Sequence, residues 1–262
     1  MGYNISYKYI WDDMHRFLFL LLFINSLLFS DYKPFYSFSN VGVNYFDWTQ
    51  GTHDKTSKED FAYLSAEGGA GWNLVEVYAN ANLENPTKRY SDESPNNLRY
   101  TVFVDLDVKI AEGFRVHFQN FFLEGLDYFV NDFVIGTSYK YRNDSGWWIK
   151  PFIGLHYTTD TYYKGLNGYM AGWTLNYPIE FFEESFTLFW WNEIEFERNR
   201  DFYLSDNEPV GDAKSYGLNG SMNFFWHINK SVTTGLQYRY AKYKLGSDAY
   251  QSGFIYMLKY NF

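Results

Sequence analysis

The sequence predicts an all-β fold: a closed antiparallel transmembrane β-barrel of twelve strands, preceded by an N-terminal signal peptide. Three observations carry this. The 262-residue chain is 23% aromatic, with 26 Tyr, 26 Phe and 9 Trp, yet its mean hydropathy is polar at −0.40. Apolar residues recur at every second position through most of the chain, which is the period of a strand. The runs total an even number, as a closed bacterial barrel with both ends on one side requires. A barrel that turns one face to lipid and the other to water needs this many rings; a soluble domain does not.

The N-terminus comes first. Phe17 to Ile24 reads FLFLLLFI and continues through Leu27, Leu28 and Phe29, behind the pair His15-Arg16 and ahead of Ser30-Asp31. The 13 residues from Phe17 to Phe29 are too few to span a bilayer as a helix, which takes ~20 apolar residues, and suit a secretory core. Residues 1–30 are therefore read as a signal peptide, with Met14 as an alternative start, and 31–262 as one barrel domain.

The strands follow in order. Weak alternation covers 37–50 and 59–70, and Val75, Val77, Ala79 and Ala81 then oppose Glu76, Tyr78 and Asn80. The cleanest run is Leu98 to Ile110, where seven apolar residues on one face oppose Arg99, Thr101, Phe103, Asp105, Asp107 and Lys109 on the other. A weaker run spans 114–124. Phe133, Ile135 and Tyr139 oppose Asp132 and Ser138; Ile149, Ile153, Leu155 and Tyr157 oppose Lys150 and His156; Tyr169, Ala171, Trp173, Leu175 and Tyr177 oppose Gly172, Thr174 and Asn176. Phe186, Leu188, Trp190, Ile194 and Phe196 oppose Glu193, Glu195 and Glu197, and two further runs cover 216–226 and 232–240. The last strand, Tyr250 to Phe262, ends the chain on an aromatic.

Connections alternate in length. Short links at 70–71, 111–113, 142–146, 178–184 and 227–230 read as periplasmic turns. Longer ones at 51–58, 83–97, 160–165, 200–212 and 244–249 read as external loops, with 125–128 joining them by parity. Glu67 to Trp72 (EGGAGW) reads as a tight turn. Trp48, Trp147, Tyr157, Trp173, Tyr177 and Trp226 are expected at strand ends, in interfacial belts.

Composition excludes several functions. With no Cys, disulfide frameworks, thiolate metal sites and Cys nucleophiles are absent. A net charge of −9, from 22 Lys plus Arg against 31 Asp plus Glu, argues against nucleic acid as a partner. No nucleophile-elbow, zincin, phosphate-loop or dinucleotide motif is present. The Glu193, Glu195, Glu197 ladder puts three carboxylates on one face, with Arg115 or Arg239 as expected counter-charges. Calcium asks for six to eight oxygens, so no metal or other cofactor is expected.

Strand parity turns Glu76, Tyr78, Phe103, Asp105, His117, Gln119, Trp191, Glu193, Asn219, Gln237 and Arg239 into the lumen, with Glu195 one step along its strand. From these, Glu76, Tyr78, Phe103, Asp105, His117, Trp191, Glu193, Glu195 and Arg239 are the expected pore-lining and ligand-binding residues. Aromatic faces stack planar rings, and carboxylates accept from hydroxyls and amines, so a small neutral hydroxylated solute fits better than a polyanion. Inward charges that only cross-link the wall are the alternative reading of each.

Four stretches carry a family likeness: DFAYLSAEGGAGWNLVEVYANANL (60–83), GYMAGWTLNYPIEFF (168–182), WWNEIEFE (190–197) and the closing GFIYMLKYNF (253–262). On these the chain resembles the nucleoside-specific channel-forming outer-membrane proteins, the Tsx/OmpK-like group. The resemblance implies a monomeric twelve-stranded barrel in the bacterial outer membrane whose narrow lumen passes nucleosides by binding them weakly. It also implies that the last strand, with Phe254, Tyr256, Leu258, Tyr260 and Phe262, is read by the barrel-assembly machinery. Tyr78, Phe103 and Trp191 are the stacking candidates; Asp105, Glu193 and Arg239 are the hydrogen-bonding ones. The function expected is a passive, substrate-selective channel and not an enzyme. A small general porin or a structural barrel, and then an outer-membrane lipid hydrolase, are the alternatives.

Overall fold

In a computed structural model, residues 33–92, 97–126, 128–205, 208–209 and 214–262 are described; the expected signal peptide, 1–30, with Met14, lies outside them. Twelve long strands follow in order: β1 Tyr36–Trp48, β2 Phe61–Gly71, β3 Val75–Glu84, β4 Arg99–Lys109, β5 Phe114–Glu124, β6 Phe129–Tyr139, β7 Trp148–Asp160, β8 Lys164–Phe181, β9 Glu184–Phe196, β10 Gly217–His227, β11 Val232–Lys242 and β12 Tyr250–Asn261. Each pairs antiparallel with the next, and β12 pairs with β1 from Asn40↔Asn261 to Trp48↔Gly253. The sheet thus closes and leaves no edge for another chain to add to. One-turn helices sit in the β1–β2 and β9–β10 connections, α1 at Gln50–His53 and α2 at Arg200–Tyr203.

Alternation in the sequence becomes inside and outside. In β1, Asn40, Gly42, Asn44 and Phe46 are buried inward, while Val41, Val43 and Tyr45 are exposed outward. The same split runs through β12, where Phe254, Tyr256, Leu258 and Tyr260 face out and Ile255 and Met257 face in. Water and lipid select the two faces independently, so each strand needs both residue types at a two-residue period.

Several details differ from the expectation. Gly68–Gly71 lies within β2, paired with β1 and β3, and the turn follows it, with Trp72 donating to the Val75 carbonyl at 2.8 Å. The link between β7 and β8 is a short turn at 161–163, since Asp160 caps it through both Tyr162 and Tyr163 amides. Trp48 is buried inside the barrel, stacked on Phe46 at 3.9 Å, and Trp173 lies midway along β8 against Trp190. Trp147, Tyr157, Tyr177 and Trp226 do sit near strand ends.

Two apolar clusters fill opposite sides of the interior. Phe46, Trp48, Ile255 and Met257 pack on β1 and β12; Val134, Phe152 and Met170 pack on β6, β7 and β8. The second depends on glycine. Gly136 and Gly154 face each other across β6 and β7, and a Cβ on Gly136 would lie 2.0 Å from the Ile153 carbonyl oxygen. His117, opposite Gly136 on β5, instead stacks on Phe152 at 4.6 Å. Gly136→Val is expected to block closure of the β6–β7 seam, because a backbone atom has no rotamer with which to yield. A variant that still shows the fast-migrating, heat-modifiable gel band would refute this.

Candidate solute-binding site in the lumen

The inward rows are set by register. Across β3, β4, β5 and β6 the pairing Tyr78↔Asp105↔Gln119↔Val134 makes one row. Across β9, β10 and β11 the pairing Trp191↔Ser221↔Arg239 makes another. Ser221 between the two larger residues is fully buried, and its small side chain lets Arg239 lie over it onto the indole. The guanidinium carbon stands 4.6 Å from the Trp191 ring centroid, and Nη1 donates to the Gly220 carbonyl at 2.9 Å. Such a cation–π pair is planar on both partners and offers an extended flat surface.

A single side-chain bond divides the lumen. Gln119 of β5 donates through Nε2 to Glu193 Oε1 of β9 at 2.6 Å, and Asn219 donates to the other carboxylate oxygen at 3.4 Å. Since β6, β7 and β8 lie between β5 and β9 in the wall, the Gln119–Glu193 bond is a chord across the barrel. On its β6–β8 side Val134, Met170, His117 and His156 are all buried. On the other side Tyr63, Tyr78, Phe103, Gln237 and Arg239 remain half-buried, with Trp191 at the boundary. The half-buried lumen residues therefore lie on β2–β4 and β11, beside the buried Phe46–Trp48–Ile255–Met257 cluster and off the barrel axis.

Most inward charges are already matched. Glu76 pairs with Arg115 at 2.9 Å and with Lys140. Lys150 on β7 bridges Asp105, at 2.8 Å, and Asp107, which also accepts from Ser138 at 2.6 Å and contacts His117 Nδ1 at 3.1 Å. Glu67 pairs with Lys259 and accepts from Tyr78 at 2.8 Å and Asn40 at 2.9 Å. Glu195 is held by Arg198 at 2.7 Å and by Lys244. Glu193 and Arg239 differ. Glu193 takes its bonds from amides, and Arg239 makes its contacts with a ring and a carbonyl.

The expected site residues thus separate. Trp191, Glu193 and Arg239 come together along β9–β11. Tyr78 and Phe103 lie 6.0 Å apart ring to ring beside Asp105, on the facing wall. His117 is fully buried under Phe152, and Glu76 and Glu195 are bound up in ion pairs, so these three face cross-links and not free space. The three-carboxylate ladder is shorter than expected. β9 ends at Phe196, and Glu197 has a left-handed φ of 53° and is exposed. The cause is a bulge opposite, at Gly168, where φ is 76° and a Cβ would meet the Glu197 carbonyl at 2.2 Å. Arg198 and Lys244, not Arg115 or Arg239, neutralise Glu195.

Lys150, Asp107, Glu67, Lys259 and Lys244 were missing from the expected set. Strand parity would have turned the first four inward, but parity alone does not tell which charges meet across the lumen. Among the described residues two groupings, Asp105–Asp107–His117 and Asp132–His156–Glu195, bring ligand atoms close enough for a cation; in each, a lysine ammonium already fills that role.

Known proteins share this architecture. The sequence profile of the nucleoside-specific channel-forming protein family, Tsx, matches residues 43–262. Among solved structures, the NanC porin superposes with a TM-score of 0.50 at 11% identity, covering 85% of this chain and 98% of that one. The KdgM porin gives 0.48 at 10%, covering 84% and 99%, and the COG4313 outer membrane channel of Pseudomonas putida F1 gives 0.43 at 12%, covering 88% and 97%.

Proposed function

The chain belongs to the nucleoside-specific channel-forming protein family and is a substrate-selective channel of the bacterial outer membrane, and we propose that its solute is selected at the Trp191–Arg239–Glu193 group. The observation that carries this is a carboxylate held by amides and a guanidinium held by a ring and a carbonyl, each near the other's charge, around one indole. A nucleoside is neutral, planar at one end and hydroxylated at the other. Its base extends the flat indole–guanidinium surface, Glu193 accepts from its ring or amino N–H, and Tyr78 and Gln237 serve the sugar hydroxyls. These contacts replace hydration one by one, weakly enough for the solute to leave again. A polyanion would find Glu193 in its way.

Transport is passive diffusion down a gradient. We read the working unit as a monomer, in keeping with a single chain that closes its own barrel. The outward aromatic face of β12, ending in Phe262, is the segment that the assembly machinery reads. The protein is not an enzyme in this reading. A lipid hydrolase would need a histidine on the lipid-facing wall, and His117, His156 and His227 of the described strands all point inward.

Planar-bilayer conductance of the purified protein, titrated with adenosine or thymidine, tests the proposal. Saturable block at millimolar or lower concentration is the expected result. Conductance indifferent to both nucleosides would leave a small general pore.

A further inference from the structure

The mouth at the long-loop end carries a contact that solute selection does not use. The β11–β12 loop, 243–249, turns inward instead of outward. Its Lys244 ammonium reaches Glu195 on β9 and approaches Asp132 on β6 at 3.8 Å, half the barrel away from the loop's own strands. Leu245 packs against the interior cluster of Phe46, Trp48, Ile255 and Met257. Both groups are thus inside the barrel, and the residues beneath them are closed off: Asn167 and His156 are fully buried, and Glu195 nearly so.

The loop is held at its base. Arg198, itself buried, donates through Nη1 to the Tyr243 carbonyl at 2.7 Å, and the Tyr243 ring sits edge-on against Tyr216 at 5.1 Å. On the other side Gln251 donates to the Lys244 carbonyl at 2.8 Å. Between these anchors Tyr243, Leu245 and Gly246 have φ of 51°, 62° and 76°. Left-handed backbone is unfavourable at the first two, which carry a Cβ; the Arg198 bond holds the first and packing on the interior cluster the second.

We propose that residues 243–249 form a strap that half-closes the channel mouth, fastened by the Lys244 ion pairs and opened when that ammonium lets go. Release leaves no orphaned charge. Asp132 keeps His156 at 3.0 Å and Thr158 at 2.7 Å, and Glu195 keeps Arg198 at 2.7 Å. A single ammonium on a flexible stem is also the fastening that detaches with least reorganisation of its surroundings. Opening gives up the Lys244 ion pairs and the Leu245 packing, while the Arg198 and Gln251 bonds keep the base of the strap on the wall.

Single-channel conductance without nucleoside tests this independently of solute selection. Lys244→Ala should raise the open conductance by about twofold, since the mouth adds resistance in series with the lumen. Asp132→Asn should raise it less, and Lys244→Arg should match the natural protein. A folded, heat-modifiable Lys244→Ala barrel with unchanged conductance overturns the proposal. Should that variant fail to fold, unchanged conductance in Asp132→Asn overturns it instead. Loss of nucleoside block in the natural protein would remove the selection site and leave the strap standing.

Discussion

Trp191→Ala is expected to raise the nucleoside concentration needed for half-block by about tenfold, while the barrel stays closed and conducting. Base–aromatic stacking is worth ~1–3 kcal/mol per base, and ~1.4 kcal/mol is a factor of ten in affinity. The loss should exceed the ~1 kcal/mol at the foot of that range, because the indole has a second task. It carries the Arg239 guanidinium at 4.6 Å, and without it Arg239 keeps its bond to the Gly220 carbonyl but loses the surface that holds it flat. Trp191→Phe restores a ring at the same place and should recover part of the block. Stability should change little, since Trp191 is half-buried and faces the open side of the Gln119–Glu193 chord. A half-blocking concentration equal to that of the natural protein would show that the solute binds elsewhere in the lumen.

The wall of this barrel was legible in the sequence and its interior only partly so, for a physical reason. Whether Val102 faces lipid or Asp105 faces the lumen depends only on strand parity, a local property. The run from Leu98 to Ile110 therefore sufficed to place β4, and the even strand number sufficed to close the sheet. What Asp105 touches once inside is not local. Its partner Lys150 is 45 residues away on β7, and Gln119 meets Glu193 across 74 residues. These meetings depend on barrel width and stagger, which no single strand encodes. Trp48 was misplaced because an aromatic at a strand end suits a lipid interface as well as a lumen wall. The Glu197 error had another origin: a bulge at Gly168 on the neighbouring strand ended β9 one residue before the ladder was complete.

That non-local interior also makes the largest expected change in stability. Lys150 lies with its side chain only 10% exposed between Asp105 and Asp107, the latter 2% exposed. Lys150→Met keeps the length of the stem and removes the charge, leaving two carboxylates within reach of one another with His117 as the remaining basic neighbour. Breaking a buried ion pair by removing one partner costs ~3–5 kcal/mol, because the surviving charge stays desolvated. The variant should therefore lose its fast-migrating band at a clearly lower temperature than the natural protein. Charge, not packing, is the stated cause, and the two can be separated. Replacing a whole buried ionic group by neutral residues is often close to neutral in stability, so Lys150→Met combined with Asp105→Asn and Asp107→Asn should regain most of the loss. If the combined variant melts as early as Lys150→Met alone, the lysine acts through its packed stem, and the ion pairs are incidental to the strength of the wall. Recovery would mean that β4 and β7 are tied across the lumen by electrostatics.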